Sequence, residues 1–350
     1  MKILFLTRLF YPHKGGVEKH VLEVSKRLIK KGHEVTVVTE NLDSDCFHDL
    51  NHENKDKSVM DGIEVIRINA GRDSFFKKFR VWKELWKYRK LIKEADVVHC
   101  HDVFFWYLPF KFIHPFKKVF TTFHGYETKF PVSKKAIIVR KISEKLSMGN
   151  ICVGDFIKKW YGTVPDYVTY GGVEKYQISN IKYPILNKRK LKILFIGRLQ
   201  EDTGIPIYLE ALEELKKKKV DFQITFLGDG KYKKQASKYG KVMTQFNDVH
   251  HYTEFDFVFA SSYLAILEAL ANKKIVFAAY KNDLKKDYLE MSPFSRLIII
   301  ESSPEKLAER IIYYIKNKNA KEKLEEQGLR FAKNQTWDKV VDSYLQLWKI

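Results

Sequence analysis

The chain opens with an apolar run, Lys2-Ile-Leu-Phe-Leu-Thr-Arg-Leu9, and the same pattern begins again near the middle as Lys192-Ile-Leu-Phe-Ile-Gly-Arg-Leu199. Short β-favouring runs of this kind read as strands buried on both faces, as inside a parallel sheet. The first run leads through a loop into Val21, Val24, Leu28 and Ile29 at helical spacing, Gly32 stops that helix, and Val35-Thr-Val-Val-Thr39 supplies the next strand. Strand, loop, helix, strand is the first unit of a doubly wound α/β sheet, and its recurrence predicts two such Rossmann-like domains facing a cleft. Further strands are predicted at 63–68, 96–101 and 119–123, and in the second half at 223–227, 255–260, 274–278 and 297–300. The periodicity lapses between Val173 and Lys192, around Tyr183-Pro184 and the polar run Asn187 to Lys190. The predicted domains are therefore 1–175 and 176–333, followed by an isolated amphipathic helix within 334–350.

The length of 350 residues suits two cores better than one. No apolar stretch reaches the roughly 18 to 20 residues that span a bilayer, and the start lacks a secretion-signal pattern, so neither crossing nor export is expected. Cys46, Cys100 and Cys152 are odd in number and widely spaced, which argues against a disulfide framework or structural zinc and for a reducing, cytoplasmic setting. The formal charge of +20 draws anions of any kind. Most lysines, such as Lys216 to Lys219, read as a solvated helix face, and no zinc-finger, RNP or basic-zipper pattern accompanies them.

In parallel sheets ligands bind beyond the carboxyl ends of the strands, so the informative residues follow strands. After the first strand, Gly15-Gly16 lets backbone amides approach an anion at a helix start, although the GxGxxG fingerprint is absent. His99 and His101 on one strand lack the third and fourth partners of a zinc site, and Asp43-Ser-Asp45 resembles a metal-holding DxD by chance. His124-Gly125 ends another strand, where an imidazole could donate to a sugar hydroxyl or serve only a loop carbonyl. In the second half Gly197-Arg198 follows the repeated strand, and Arg198 is placed to clamp phosphate oxygens. Gly228-Asp-Gly230 follows the next strand, and Ser261 or Ser262 is expected to cap a helix carrying Glu268, a candidate acceptor for a vicinal diol such as a ribose.

The order of these segments resembles the GT4-type glycosyltransferases of GT-B fold across essentially the whole chain. The matching features are Gly15-Gly-Val-Glu18, Gly32-His-Glu-Val35, Val98-His-Cys-His101, Thr122-Phe-His-Gly-Tyr126, Gly171-Gly-Val-Glu174, Gly197-Arg-Leu199, Gly228-Asp-Gly230 and Leu267-Glu-Ala-Leu270. The resemblance implies retaining transfer of a sugar from a nucleotide diphosphate sugar to a glycolipid, polysaccharide or other glycoconjugate, without a metal or other cofactor. It implies that Arg198 and His124 act at the reacting centre, Arg198 on the leaving diphosphate and His124 on the donor sugar. Gly15, Gly16, Gly197, Thr203, Gly228, Ser262, Tyr263 and Glu268 would bind the donor, and His101, Asp102 and Tyr126 would lie on the acceptor side. The terminal helix would pack back on the first domain. Two departures stand out: the family usually has Lys where this chain has Thr203, and an earlier Glu where this chain has Ala260, Ser262 or Tyr263. They imply a different donor sugar, a substitute residue or weak catalysis. A non-catalytic nucleotide-sugar or glycan binder on the same fold is the alternative function, and a nucleic-acid binder rests on charge alone.

One segment is left over. Residues 75–93 carry eight Lys or Arg, with Phe75, Phe79, Trp82 and Trp86 on one helical stripe. The first expectation is that this stripe packs on the sheet. The alternative is an interfacial helix seated on anionic lipid at the cytoplasmic face of a membrane, bringing the protein to a lipid-linked acceptor, with 103–113 enlarging the patch.

Overall fold

The two repeated runs form inner strands of two separate parallel sheets. In the computed structural model, which describes residues 1–41, 57–72, 74, 76–125, 130–174, 190–244 and 251–349, the chain divides into one unit of Met1–Thr169 with Trp337–Ile350 and another of Tyr170–Thr336. Asp43-Ser-Asp45, Cys46, Phe75, Tyr126 and Tyr183-Pro184 lie outside the described residues.

The first unit runs β1 (Lys2–Thr7), α1 (Gly16–Lys30), β2 (Glu34–Glu40), β3 (Lys57–Met60), β4 (Ile63–Ile68), α2 (Lys77–Lys87), α3 (Arg89–Glu94), β5 (Val97–His101), α4 (Phe104–Ile113), β6 (Val119–Phe123), α5 (Lys134–Leu146), β7 (Asn150–Val153), α6 (Phe156–Tyr161) and β8 (Tyr167–Thr169). The sheet order is β3-β4-β2-β1-β5-β6-β7-β8, parallel except for β3. The pattern misses β3 because it is a solvent-facing antiparallel edge, and misses β7 and β8 because four and three residues are too few to show a period.

The pleat decides what each face carries. Leu4, Leu6, Val98 and Cys100 point to one face, where they meet Val81, Leu85 and Ile92 from α2 and α3 and Phe104, Tyr107 and Phe110 from α4. Phe5, His99 and His101 point to the other.

The second unit runs β9 (Leu191–Ile196), α7 (Ile205–Lys217), β10 (Phe222–Leu227), α8 (Lys233–Ala236), β11 (Gly240–Met243), β12 (Phe257–Ala260), α9 (Tyr263–Ala271), β13 (Ile275–Ala279), α10 (Asp283–Glu290), β14 (Ile299–Glu301), α11 (Pro304–Lys316) and α12 (Lys318–Ala332). Its all-parallel sheet has the order β11-β10-β9-β12-β13-β14. The last helix, α13 (Trp337–Trp348), belongs to the first unit and packs on α1, with Asp338 3.5 Å from Arg27.

Chain direction across each sheet reverses once near its middle, between β1 and β5 in the first unit and between β9 and β12 in the second. Such switch points open a crevice beyond the carboxyl ends of the two strands. Thr7 and His101 stand side by side at the first, and Ile196 and Ala260 at the second.

Candidate functional site

At the first switch point four histidines meet, His99 and His101 from β5, His124 from the loop after β6 and His20 from α1. Burial demands hydrogen-bond partners, and α13 supplies them to His99 and His20. Indole nitrogen only donates, so Trp348 Nε1, 3.1 Å from His99 Nδ1, leaves the His99 proton on Nε2. That proton goes to Thr122 Oγ1 at 2.7 Å, Thr122 donates to Tyr344 Oη at 2.8 Å, and Tyr344 donates to His20 Nε2 at 2.9 Å. One direction of donation thus runs from Trp348 to His20. All four imidazoles are held below their ordinary pKa, chiefly by burial, with mutual repulsion adding to it for His20, His99 and His101. His124 drops to about 3 through burial and the nearby Arg140 guanidinium. All four are therefore neutral at physiological pH.

His101 is only 1% exposed and offers no surface to an acceptor. It reaches His124 instead, with Nδ1 2.8 Å from His124 Nε2, while its own Nε2 is buried without a partner. An orphaned N–H costs more than an orphaned lone pair, so the His101 proton sits on Nδ1 and is donated to His124. His124 is left presenting Nδ1–H, a neutral donor suited to a sugar oxygen.

The loop carrying His124 is clamped from two sides. Asp102, held at φ +59° just past β5, accepts the His124 amide at 3.1 and 3.2 Å. Arg140 on α5 donates to Gly125 O at 2.8 Å and lies over the rings of Tyr161 and Phe123, 4.1 and 4.9 Å from their centroids. Nothing in the sequence singles out Arg140, one of several basic residues on an amphipathic helix. Gly15 caps α1 and Gly16 follows with open space at its Cβ position. The buried Glu18 carboxylate folds back against Gly15 and lies 2.7 Å from His13 Nδ1. The helix start read as an anion site from Gly15-Gly16 already has a carboxylate of the chain beside it.

At the second switch point two loops touch through backbone. Gly197 N–H donates to Leu227 O at 3.1 Å and Leu199 N–H to Asp229 O at 2.8 Å. A Cβ on Gly228, at φ +156°, would lie 1.9 Å from Gly197 O, so only glycine fits. Arg198 projects from this loop with its side chain 62% exposed and pairs with Asp202. Thr203 turns inward, its hydroxyl 2.8 Å from Arg198 O and 2.7 Å from Gln200 O, and so braces the Arg198 loop.

The start of α9 differs from expectation. Neither serine caps it: Ser261 is buried against Tyr208 Oη at 2.7 Å, and exposed Ser262 makes no side-chain capping bond. The Tyr263 amide donates instead to Tyr288 Oη at 3.0 Å, and the two tyrosine rings stack with centroids 3.9 Å apart. The Tyr263 side chain is thus buried structure, its ring stacked on Tyr288 and its hydroxyl donating to Tyr288 O at 2.6 Å. Glu268, half-buried one turn later, accepts from Tyr252 Oη at 3.1 Å.

The stripe on α2 faces outward, contrary to the first expectation. Val81 and Leu85 cover the sheet, while Phe76 is 65% exposed and Phe79 and Trp86 are each 48% exposed. Trp82 and Trp86 stack on Phe105 and Phe110 of α4, and Phe112 and Phe116 beyond them are 78% and 96% exposed. Lys78, Lys83, Lys87 and Lys90 are exposed on the same segment. At its base a cavity of about 300 Å³, lined by Arg8, Glu40, Lys77, Trp82 and Phe105 among others, opens near the ends of β1 and β2.

Comparison with known proteins adds three facts. Residues 14–174 match the model of Glycosyltransferase Family 4, and residues 178–331 match Glycosyl transferases group 1. The chain is 24% identical over 400 residues to the uncharacterized glycosyltransferase MJ1069 of Methanocaldococcus jannaschii, covering 100% of this chain and 98% of that one. Among solved structures, a glycosyltransferase from Rickettsia africae superposes with a TM-score of 0.72 at 20% identity over 99% of this chain and 97% of that one. Anabaena Alr3699/HepE, solved in complex with UDP and glucose, superposes with a TM-score of 0.69 at 14% identity over 99% and 98%.

Proposed function

Because the chain belongs to the GT4-type glycosyltransferases of GT-B fold, we propose that it transfers a sugar, with retention and without a metal ion, from a nucleotide diphosphate sugar to a lipid-linked acceptor at an anionic membrane surface. The donor is held by the second unit and the acceptor by the first. In the reaction the bond from the anomeric carbon to the diphosphate breaks with its electron pair going to the phosphate oxygen. The acceptor hydroxyl bonds to that carbon, and its proton passes to the departing diphosphate. Arg198 offsets the charge that develops there, so it stabilises the transition state more than the ground state. His124 donates from Nδ1 to a hydroxyl of the donor sugar, and Glu268 takes the ribose diol. The Anabaena protein, with UDP and glucose bound, supports a uridine diphosphate sugar as the first donor to try.

The observation that carries the acceptor half is the outward aromatic and basic face of α2 and α4. Rings at headgroup depth beside lysines on anionic lipid, each worth about 1 kcal/mol near the surface, are the components of interfacial binding. Lys77 and Arg80 are only half-exposed, held by Glu40 and by loop oxygens, so the charges to change are the exposed Lys78, Lys83 and Lys90. The test is transfer from UDP-, GDP- and ADP-sugars to lipid extracts in vesicles of rising anionic content at physiological salt, with the anomeric configuration of the product read by NMR. Transfer and cosedimentation should both fall when Lys78, Lys83 and Lys90 are changed to Glu. Arg198→Ala should cut turnover by roughly a hundredfold or more. Donor binding with no turnover on any extract would point to the non-catalytic binder, and equal vesicle binding by wild type and the triple variant would remove the membrane from the reading.

A further inference from the structure

The family resemblance leads one to expect a phosphate-binding Lys where this chain has Thr203, whose hydroxyl is bonded to Arg198 O and Gln200 O. The unit nevertheless contains a second cation at the same switch point. Lys285, in the first turn of α10, is buried, and its Nζ donates to Ser261 O at the entry to α9. The ammonium also lies over the Tyr288 ring, 3.9 Å from its centroid. Among the described residues no carboxylate lies within ion-pair distance of it. A cation buried on one carbonyl and one ring face is costly unless an anion completes it.

The charged and titratable groups around it come from three elements. The loop after β9 brings Asp202, which favours the ammonium, and Arg198, which opposes it. Tyr263 on α9 and Tyr288 on α10 flank it with hydroxyls that are already hydrogen-bonded. Burial outweighs these and pushes Lys285 down to about 7, so the group is balanced between charged and neutral until a negative ligand arrives.

We propose that Lys285 is the second phosphate cation of the donor site, acting beside Arg198 on the diphosphate in place of the Lys that Thr203 does not supply. The inference rests on the transferase reading above and names the ligand chemistry of the same site: two linked phosphates, whatever the base.

The test is titration calorimetry of UDP, GDP and ADP and of the matching monophosphates against wild type, Lys285→Met and Lys285→Gln. Both variants should bind the preferred diphosphate roughly tenfold to a hundredfold more weakly, the scale of one charge-assisted contact, while the monophosphate changes far less. Wild-type affinity for the diphosphate should also fall between pH 7.5 and 8.5 as Lys285 loses its proton, a range in which the ligand, titrating near pH 6, keeps a constant charge. The Met variant should show no such slope. Should the Met variant fail to fold, the Gln variant keeps the donor to Ser261 O and carries the same comparison. Equal diphosphate affinity in wild type and variants would reduce Lys285 to a structural role and leave the transferase reading intact. If wild type binds none of the three diphosphates, the transferase reading falls, and this inference with it.

Discussion

Acidification should destabilise the first unit through its buried histidines. Below pH about 6.5 an unfolded chain takes protons on its histidines, whereas His124, held at about 3, stays neutral in the fold. The unfolded state then binds more protons, so stability falls as pH falls. For a group that stays neutral in the fold, the loss between pH 7.5 and 5.5 is about 1.4 kcal/mol, from RT ln of the ratio of unfolded binding polynomials with a pKa of about 6.5. His20, His99 and His101 are shifted in the same direction by the same burial, which sets a ceiling of about 5.5 kcal/mol for the cluster, comparable to the whole stability of many domains. Burial raises the Asp102 carboxyl, which works in the opposite sense by favouring proton uptake in the fold, so the histidine figure stands as a ceiling. The assay is urea unfolding followed by tryptophan fluorescence, which is selective here because all six tryptophans, at 82, 86, 106, 160, 337 and 348, lie in the first unit. The midpoint should drop by about 0.5 M or more between pH 7.5 and 5.5. A midpoint that holds steady or rises would refute the claim that these rings are buried neutral.

Substitutions at two further positions test the loops that present the reacting groups. Arg140→Met keeps the side chain's bulk between Tyr161 and Phe123 but removes the bond to Gly125 O, so it should lower kcat more than it raises KM for the donor; unchanged kcat would show that the clamp does not position His124. Thr203→Lys should weaken nucleotide binding in calorimetry, because the new charge comes at the loss of the hydroxyl bonds to Arg198 O and Gln200 O, each worth about 1 kcal/mol, and Thr203→Val should weaken it for the same reason; tighter binding by the Lys variant would mean that the loop is a simple decay of the family's phosphate site.

Sequence alone determined the doubly wound strands and the places where chemistry follows them. Inner parallel strands such as β1 and β9 are apolar on both faces, so they announce themselves as unbroken runs, and Gly197, Arg198, Gly228 and His124 are legible as residues that follow strands. What those residues touch was decided only by the tertiary structure. The network that holds His99 and Thr122 comes from Trp348 and Tyr344, which lie 249 and 222 residues further along the chain, and no local periodicity carries a contact of that range. The same holds for Arg140 under Gly125 and for Lys285 beneath Ser261, each an ordinary basic residue on its own helix until the sheet brings it to a strand end. On α2 the sequence offers two faces, one aromatic and one aliphatic, either of which satisfies helical periodicity. In the fold Val81 and Leu85 join Phe104, Tyr107 and Phe110 of α4 in one buried cluster, and Phe76, Phe79 and Trp86 are left to the surface.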